Sequence, residues 1–156
     1  PVEEGEARLS KDDIYRIFFH GPAYRVIESA WRADGTTVGL MPADLPAHHL
    51  PADQPLFAFP RLIELCLQTA GLAEMGATGK MGLPLHIERL RLVRTPKPGK
   101  GLLRAVVEPS SEVGGFDAYV IDETGAVYVI VHGYRTVELP GAVGEDQLEP
   151  LRAIMT

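Results

Sequence analysis

The chain has 156 residues, of which 46% are hydrophobic and 23% charged, a composition typical of one globular domain with a core of its own. Its 15 basic and 21 acidic side chains give a net charge of −6, which argues against nucleic acid as the main partner because phosphate binding needs clustered Lys and Arg. No apolar run is long enough to cross a membrane, and a single cysteine excludes an intrachain disulfide, so we expect a cytoplasmic protein.

The N-terminal part of the chain predicts a short helix followed by a β-hairpin. Ser10 precedes acidic and then spaced apolar side chains, which predicts a capped helix over about residues 10–18. After a Gly-Pro pair, residues 24–33 alternate in the manner of a strand, and Asp34-Gly35 is a typical hairpin turn. The return strand would reach Met41, where a proline-rich loop begins.

Residues 59–76, FPRLIELCLQTAGLAEMG, predict a long helix that is apolar on nearly every face and therefore buried. Glu64 and Gln68 interrupt the apolar pattern and, four residues apart, share one face of the helix. Cys66 lies between two leucines with no obvious base nearby, which favours a small core residue over a thiol nucleophile.

Glu64 has two interpretations at this stage. If the helix is buried, desolvation would raise the pKa of its carboxyl and suit it to general acid catalysis, with Gln68 donating a hydrogen bond to it or to a substrate oxygen. Alternatively, Glu64 lies at the edge of the helix and pairs with Arg61. The spacing alone leaves both open.

The C-terminal half predicts an antiparallel sheet. Four strand candidates follow at hairpin spacing, at about residues 83–95, 101–109, 115–122 and 126–138, and a polar tail over about 141–156 ends the chain with a short helical pattern. Because such a sheet must cover one face and the long apolar helix is the available cover, we predict an α+β hot-dog fold: one domain, residues 1–156, whose sheet wraps around the central helix. The sequence shows no metal-ligand spacing and no glycine-rich phosphate loop.

Two segments resemble motifs of polyketide synthase dehydratase domains. His20-Gly21-Pro22-Ala23-Tyr24 is similar to their Tyr-Gly-Pro-x-Phe element, and the segment from Phe59-Pro60 to Gln68 is similar to their His-Pro-x-Leu-Leu-Asp-x-x-x-Gln helix. Both motifs belong to the second half of that family's double hot dog, and the resemblance covers about residues 14–138. The chain has Glu64 in place of the family's Asp, Phe59 in place of His and His20 in place of Tyr, and the first half is absent.

The resemblance implies a β-hydroxyacyl dehydratase-like module that acts on thioesters carried by an acyl carrier protein and needs no soluble cofactor. Glu64 would help the β-hydroxyl leave, Gln68 would assist it, and His20 would take the place of the tyrosine that orients the leaving oxygen. A histidine of the family's first half removes the α-proton. The substrate-binding residues implied at the rim and along the acyl tunnel are Gly21, Pro22, Tyr24, Phe59, Pro60, Leu65 and Leu72.

A second resemblance concerns the proline-rich loop. His49-Leu50-Pro51-Ala52, ahead of Pro60 and Glu64, is similar to the His-Phe-Pro-Gly loop and following Glu-bearing helix of single hot-dog β-hydroxyacyl-carrier-protein dehydratases of fatty acid synthesis. In those enzymes the two catalytic residues come from different subunits. A homodimer would thus complete a site with His49 of one chain and Glu64 of the other, so a second hot-dog unit is an expected partner.

Other interpretations of these residues remain open. The Gly-Pro pair makes a turn whether or not it borders a pocket, His20 would then be a solvated cap residue, and core packing would explain Leu65 and Leu72 equally well. A hot-dog thioesterase would use an acid on the same helix to activate water. A non-catalytic half-domain would bind acyl chains or hold a synthase together.

Overall fold

The computed structural model describes residues 7–54, 59–96, 101–111, 115–141 and 143–155. Its strands are β1 (Leu9–Ser10), β2 (Ser29–Ala33), β3 (Thr36–Leu40), β4 (Gly82–Leu92), β5 (Arg104–Pro109), β6 (Phe116–Ile121) and β7 (Val127–Glu138). Its α-helices are α1 (Lys11–Ile17), α2 (Pro60–Thr78) and α3 (Glu145–Met155). The strands of this described part form one antiparallel sheet in the order β1-β2-β3-β5-β6-β7-β4.

Helix α2 is the element around which the sheet wraps. It contacts β3, β4, β5, β6 and β7, and most of its middle and C-terminal half is buried. Pro60 suits its first turn because the N–H that proline lacks would have no partner there, and Gly79 ends the helix in the left-handed conformation at φ 72°. The predicted α+β hot-dog fold is confirmed, although the helix begins one residue later and ends two residues later than 59–76.

A glycine allows α2 to lie close to the sheet. A Cβ added at Gly39 of β3 would overlap Thr69 Oγ1 of α2. Thr69 is fully buried, and its hydroxyl donates to the carbonyl oxygen of Leu65 at 2.6 Å, so it has little freedom to move. Gly39 therefore helps to set the distance between the sheet and the helix that carries Glu64.

The N-terminal helix and the hairpin turn are confirmed. Ser10 caps α1, its Oγ accepting from the backbone N–H of Asp13 at 3.2 Å. Asp34 and Gly35 have φ values of 46° and 80° and connect β2 to β3, with Ala33 opposite Thr36. The left-handed φ at both turn residues explains the Asp-Gly pair.

The predicted strand over residues 24–33 is wrong in its first part. Pro22–Tyr24 form a 3-10 helix, and the strand begins only at Ser29. Pro22 fixes φ at the start of this turn, and the carbonyl oxygens of Ala23 and Tyr24 accept from side chains of α2, Arg61 and Gln68 respectively. A period-two pattern cannot reveal such tertiary partners.

The short helix predicted in the C-terminal tail is confirmed, but the prediction that this tail is polar is wrong for one face of the helix. Helix α3 buries Leu148, Leu151 and Met155 and contacts both α2 and α1. Gly76 of α2 makes room for it, because an added Cβ would overlap the Cβ of Met155. The described residues share one hydrophobic core that includes all three helices, and the extent of the domain over residues 1–156 stays a prediction.

Strand β4 lies at one edge of the sheet and is largely exposed. It pairs with β7 on one side only, and most of its residues are exposed or half-buried. Leu85 is 63% exposed, and Leu90 and Leu92 are each 41% exposed. No helix in the described part of the chain is long and apolar enough to cross a membrane.

Candidate active site

Glu64 lies in the second turn of α2, where its side chain is 25% exposed and accepts two hydrogen bonds on the same oxygen. His20 Nε2 is 2.9 Å from Glu64 Oε1, and Gln68 Nε2 donates to Glu64 Oε1 at 3.0 Å. The structure therefore brings together three of the four predicted catalytic residues. The alternative pairing of Glu64 with Arg61 is wrong, because Arg61 donates instead to the carbonyl oxygens of Ala23 and Pro46.

The loop that carries His20 is fixed to α2 through its backbone. Arg61 Nε donates to the carbonyl oxygen of Ala23 at 3.0 Å, and Gln68 Nε2 donates to that of Tyr24 at 2.9 Å. Arg25 Nε donates to the carbonyl oxygen of His20 itself at 3.2 Å. These bonds explain how residues 44 positions apart in the chain meet at hydrogen-bonding distance.

The pKa of Glu64 is lowered, contrary to the prediction of a raised value. Burial raises it, as expected, but the hydrogen bonds from His20 and Gln68 and the charge of His20 together outweigh burial. The carboxyl is therefore ionised near neutral pH. In the resting site Glu64 is therefore a hydrogen-bond acceptor for both His20 and Gln68.

His20 is held between aromatic rings. The ring of Phe19 stacks on it at a centroid distance of 5.8 Å, and the ring of Phe18 meets it edge-on at 5.6 Å. Its Nδ1 atom is buried and has no hydrogen-bond partner among the described residues. The Nε2 atom of the imidazole therefore faces Glu64 and makes the contact with its carboxylate. His20 is not a freely solvated cap residue.

His49 makes its contacts with residues other than Glu64, Gln68 and His20. Its Nε2 lies 2.9 Å from the carbonyl oxygen of Gln54, and its ring meets that of His48 at a centroid distance of 4.7 Å. His48 in turn meets the ring of Tyr24 at 6.0 Å. Burial, with the charges of Arg61 and His49, lowers the pKa of His48. Within one chain the histidine paired with Glu64 is His20, and a role for His49 across a dimer stays a prediction.

The comparisons with known proteins point to the same family as the motifs. A family model described as the polyketide synthase dehydratase N-terminal domain matches residues 1–146. The chain belongs to the polyketide synthase dehydratase family. Its hot-dog fold is that of polyketide synthase dehydratase domains. Its assignment to the second hot-dog half, made from the motifs at His20 and Glu64, stays a prediction.

Solved structures of polyketide synthase dehydratase domains share the fold. A trans-AT dehydratase domain from Brevibacillus brevis matches with a TM-score of 0.67 and 20% identity, over 89% of this chain and 54% of that one. The dehydratase domain from the CurK module of the curacin synthase matches with a TM-score of 0.66 and 20% identity, over 86% and 48%. The dehydratase domain from the CurJ module matches with a TM-score of 0.63 and 18% identity, over 89% of this chain and 54% of that one. The chain thus spans about half the length of these structures.

The predicted substrate-binding residues of this dehydratase-family domain lie in three places: around the 3-10 helix, which also contains Tyr24, at the start of α2, and in the core. Gly21 and Pro22 form the start of the 3-10 helix beside His20, while Phe59 and Pro60 are half-buried at the start of α2. Leu65 and Leu72 are fully buried core residues, so packing accounts for both, and lining of an acyl tunnel stays a prediction. Cys66 is likewise in the core, where burial raises the pKa of its thiol to about 12.

Tyr15 of α1 is the functional neighbour that the sequence patterns missed. Its hydroxyl donates to Gln68 Oε1 at 2.8 Å and accepts from the backbone N–H of Ile27 at 2.9 Å. No local signal marks it, because the contact spans 53 residues and Tyr15 looks like an ordinary aromatic residue on a short amphipathic helix.

Proposed function

We propose that this chain is one hot-dog half of a dehydratase and that Glu64 delivers the proton on which the β-hydroxyl of a 3-hydroxyacyl thioester leaves as water. One observation carries this proposal: Glu64, at the helix position where the resemblance implies the acid, is held by both His20 and Gln68. Two matched structures are inactive variants of the CurK dehydratase, one with aspartate replaced by asparagine and one with histidine replaced by phenylalanine. Their inactivity supports a mechanism that requires a carboxyl group and a histidine.

In the proposed reaction a histidine base takes the α-proton of the thioester. The electron pair of that C–H bond becomes the second bond between Cα and Cβ, and the C–O bond at Cβ breaks. Because Glu64 is ionised near neutral pH, the leaving hydroxyl takes its proton through the pair. His20 enters this step as the imidazolium cation, Glu64 accepts the Nε2 proton and passes it to the hydroxyl, and His20 is left as a neutral imidazole. Water and an enoyl thioester are the products.

The base in this proposal comes from a second hot-dog unit, either the histidine of a partner half or His49 of a second copy. The outer edge of β4 has no partner strand in the described part of the chain and carries exposed apolar side chains, and it supports such a partner because proteins normally cover an edge of this kind. The half-length match to known dehydratase structures supports it as well. The substrate would arrive on the phosphopantetheine arm of an acyl carrier protein, without a soluble cofactor, in a reducing compartment such as the cytoplasm.

The test is turnover of a 3-hydroxyacyl-pantetheine thioester by the chain alone and by the chain mixed with a partner half. We expect an enoyl product from the assembled unit, and a loss of about 10²- to 10⁴-fold in kcat on Glu64→Gln. Loss on His49→Ala in a homodimer would assign the base to His49. Release of a free thiol would contradict dehydration and identify a thioesterase.

A non-catalytic half-domain is the second candidate, and one observation favours it. Glu64 Oε1 accepts both hydrogen bonds, and the carboxyl is ionised. Glu64 therefore has no proton of its own to give to a leaving hydroxyl in the resting site. A well-folded assembly that binds an acyl-pantetheine thioester but converts it in neither direction would establish this function and overturn the first.

A further inference from the structure

The hydroxyl of Tyr15 links the backbone of Ile27, two residues before β2, to the side chain of Gln68. It accepts from the backbone N–H of Ile27 at 2.9 Å and donates to Gln68 Oε1 at 2.8 Å. A backbone N–H can only donate, so the phenol oxygen must act as acceptor there and its single proton is directed to Gln68. The groups at the other end of the amide agree with this direction, because the carbonyl oxygen of Tyr24 and the ionised carboxylate of Glu64 can only accept and so take the NH₂ group.

The bond from Tyr15 favours the amide orientation in which the NH₂ group of Gln68 faces Glu64. Because Oε1 receives the proton of Tyr15, the NH₂ group is turned the other way, where it donates to the carbonyl oxygen of Tyr24 at 2.9 Å and to Glu64 Oε1 at 3.0 Å. The two amide ends could otherwise exchange, which would place an oxygen against the carboxylate. Gln68 is 3% exposed, so water does not compete for either end.

We propose that Tyr15 is a positioning residue of the site: it fixes the amide of Gln68 so that the donor faces Glu64. The role of Glu64 in turnover rests on the proposed function above, whereas the positioning itself does not. Burial raises the pKa of Tyr15, which keeps its hydroxyl protonated throughout the working pH range and so keeps the donor in place.

The experiment is Tyr15→Phe, with Tyr119→Phe on the sheet as the matched control and Gln68→Ala as the reference. Carbon-detected NMR follows the titration of the Glu64 carboxyl in each variant. We expect the Glu64 midpoint to move upward in Tyr15→Phe, in the same direction as in Gln68→Ala and by a smaller amount, and to stay put in Tyr119→Phe. In an active assembly, kcat would fall about fivefold.

A second measurement uses the unaltered chain and so does not depend on the folding of a variant. The phenol proton of Tyr15 should exchange slowly and show a nuclear Overhauser contact to the Gln68 side chain. A fast-exchanging hydroxyl, or an unchanged Glu64 midpoint in folded Tyr15→Phe, would overturn the proposal. If the midpoint shifts but no assembly turns over substrate, the positioning role stands and the proposed function fails.

Discussion

Gln68 lies between Tyr15 and Glu64 and binds each with the opposite end of its amide, receiving a proton on Oε1 and donating one from Nε2. Through this one side chain, a helix near the N-terminus of the described chain is connected to the carboxyl of the candidate site. His20 completes the set from the other side of that carboxyl. The pKa of Glu64 is thus lowered by side chains from two separate segments, the loop that carries His20 and helix α2.

Glu64→Gln should change the pH dependence of stability. The folded-state pKa of Glu64 is lowered despite burial, because the hydrogen bonds from His20 and Gln68 outweigh the effect of burial. Glu64 therefore stabilises the fold above its unfolded-state pKa of about 4.3. That contribution is lost as the pH falls through the lower folded-state pKa. The difference in unfolding free energy between the parent and Glu64→Gln, measured by urea denaturation from pH 7 to 3, should therefore shrink as pH falls below about 4.

Glu88→Gln is the matched control for that measurement. Glu88 also pairs with a histidine, His86, at 3.2 Å, but its side chain is 55% exposed, so the pair should contribute little at any pH. A difference between parent and Glu64→Gln that stays constant across the range would contradict the prediction.

Gly39→Ala should destabilise the fold by about 1–3 kcal/mol, because the new methyl group overlaps the buried hydroxyl of Thr69. Thr69→Ala removes that obstacle, so the double variant should be more stable than the sum of the two single changes predicts. Chemical denaturation of the four proteins gives the coupling. Gly21→Ala, with nothing within 4 Å of the added Cβ, should stay within about 0.5 kcal/mol of the parent.

Leu151→Ala should cost about 2–5 kcal/mol, because Leu151 is fully buried in the core beneath α3. A true polar tail would tolerate the same change. Leu50→Ala, at a side chain that is 92% exposed, is the control and should have almost no effect on the unfolding midpoint. Equal stability of the two variants would mean that α3 does not pack as described.

Leu85→Arg should leave the isolated chain stable but weaken its association with a second hot-dog unit. Leu85 is 63% exposed on β4, so the charge is solvated until a partner covers it. Sedimentation of the mixture measures the change in affinity, and Leu102→Arg, at an exposed leucine outside β4, is the control. Equal binding by both variants would place the partner elsewhere.

The sequence predicted the elements whose signals are local. The Ser10 cap, the Asp34-Gly35 turn and the apolar pattern of α2 each act within a few residues, and each was found at or within two residues of its predicted position. The four-residue spacing on α2 also identified Glu64 and Gln68 correctly as neighbours.

What the sequence missed depends on contacts between distant segments. The bond from Tyr15 to Gln68 spans 53 residues, and burial of α3 depends on the space left by Gly76. The pKa of Glu64 was predicted in the wrong direction because desolvation can be inferred from an apolar helix, whereas the opposing donor, His20, is placed by tertiary structure alone.

The packing of α3 beside α1 also has a mechanical consequence. Gln147 Nε2 donates to the carbonyl oxygen of Arg16 at 2.7 Å, and Arg32 reaches the carbonyl oxygen of Met155 at 3.3 Å, so the two ends of the described chain are held side by side. A pulling force applied at those ends would separate α1 from α3 before it acted on the backbone hydrogen bonds between β4 and β7. The pairing between β7 and β4 would thus be loaded only after the two helices had separated.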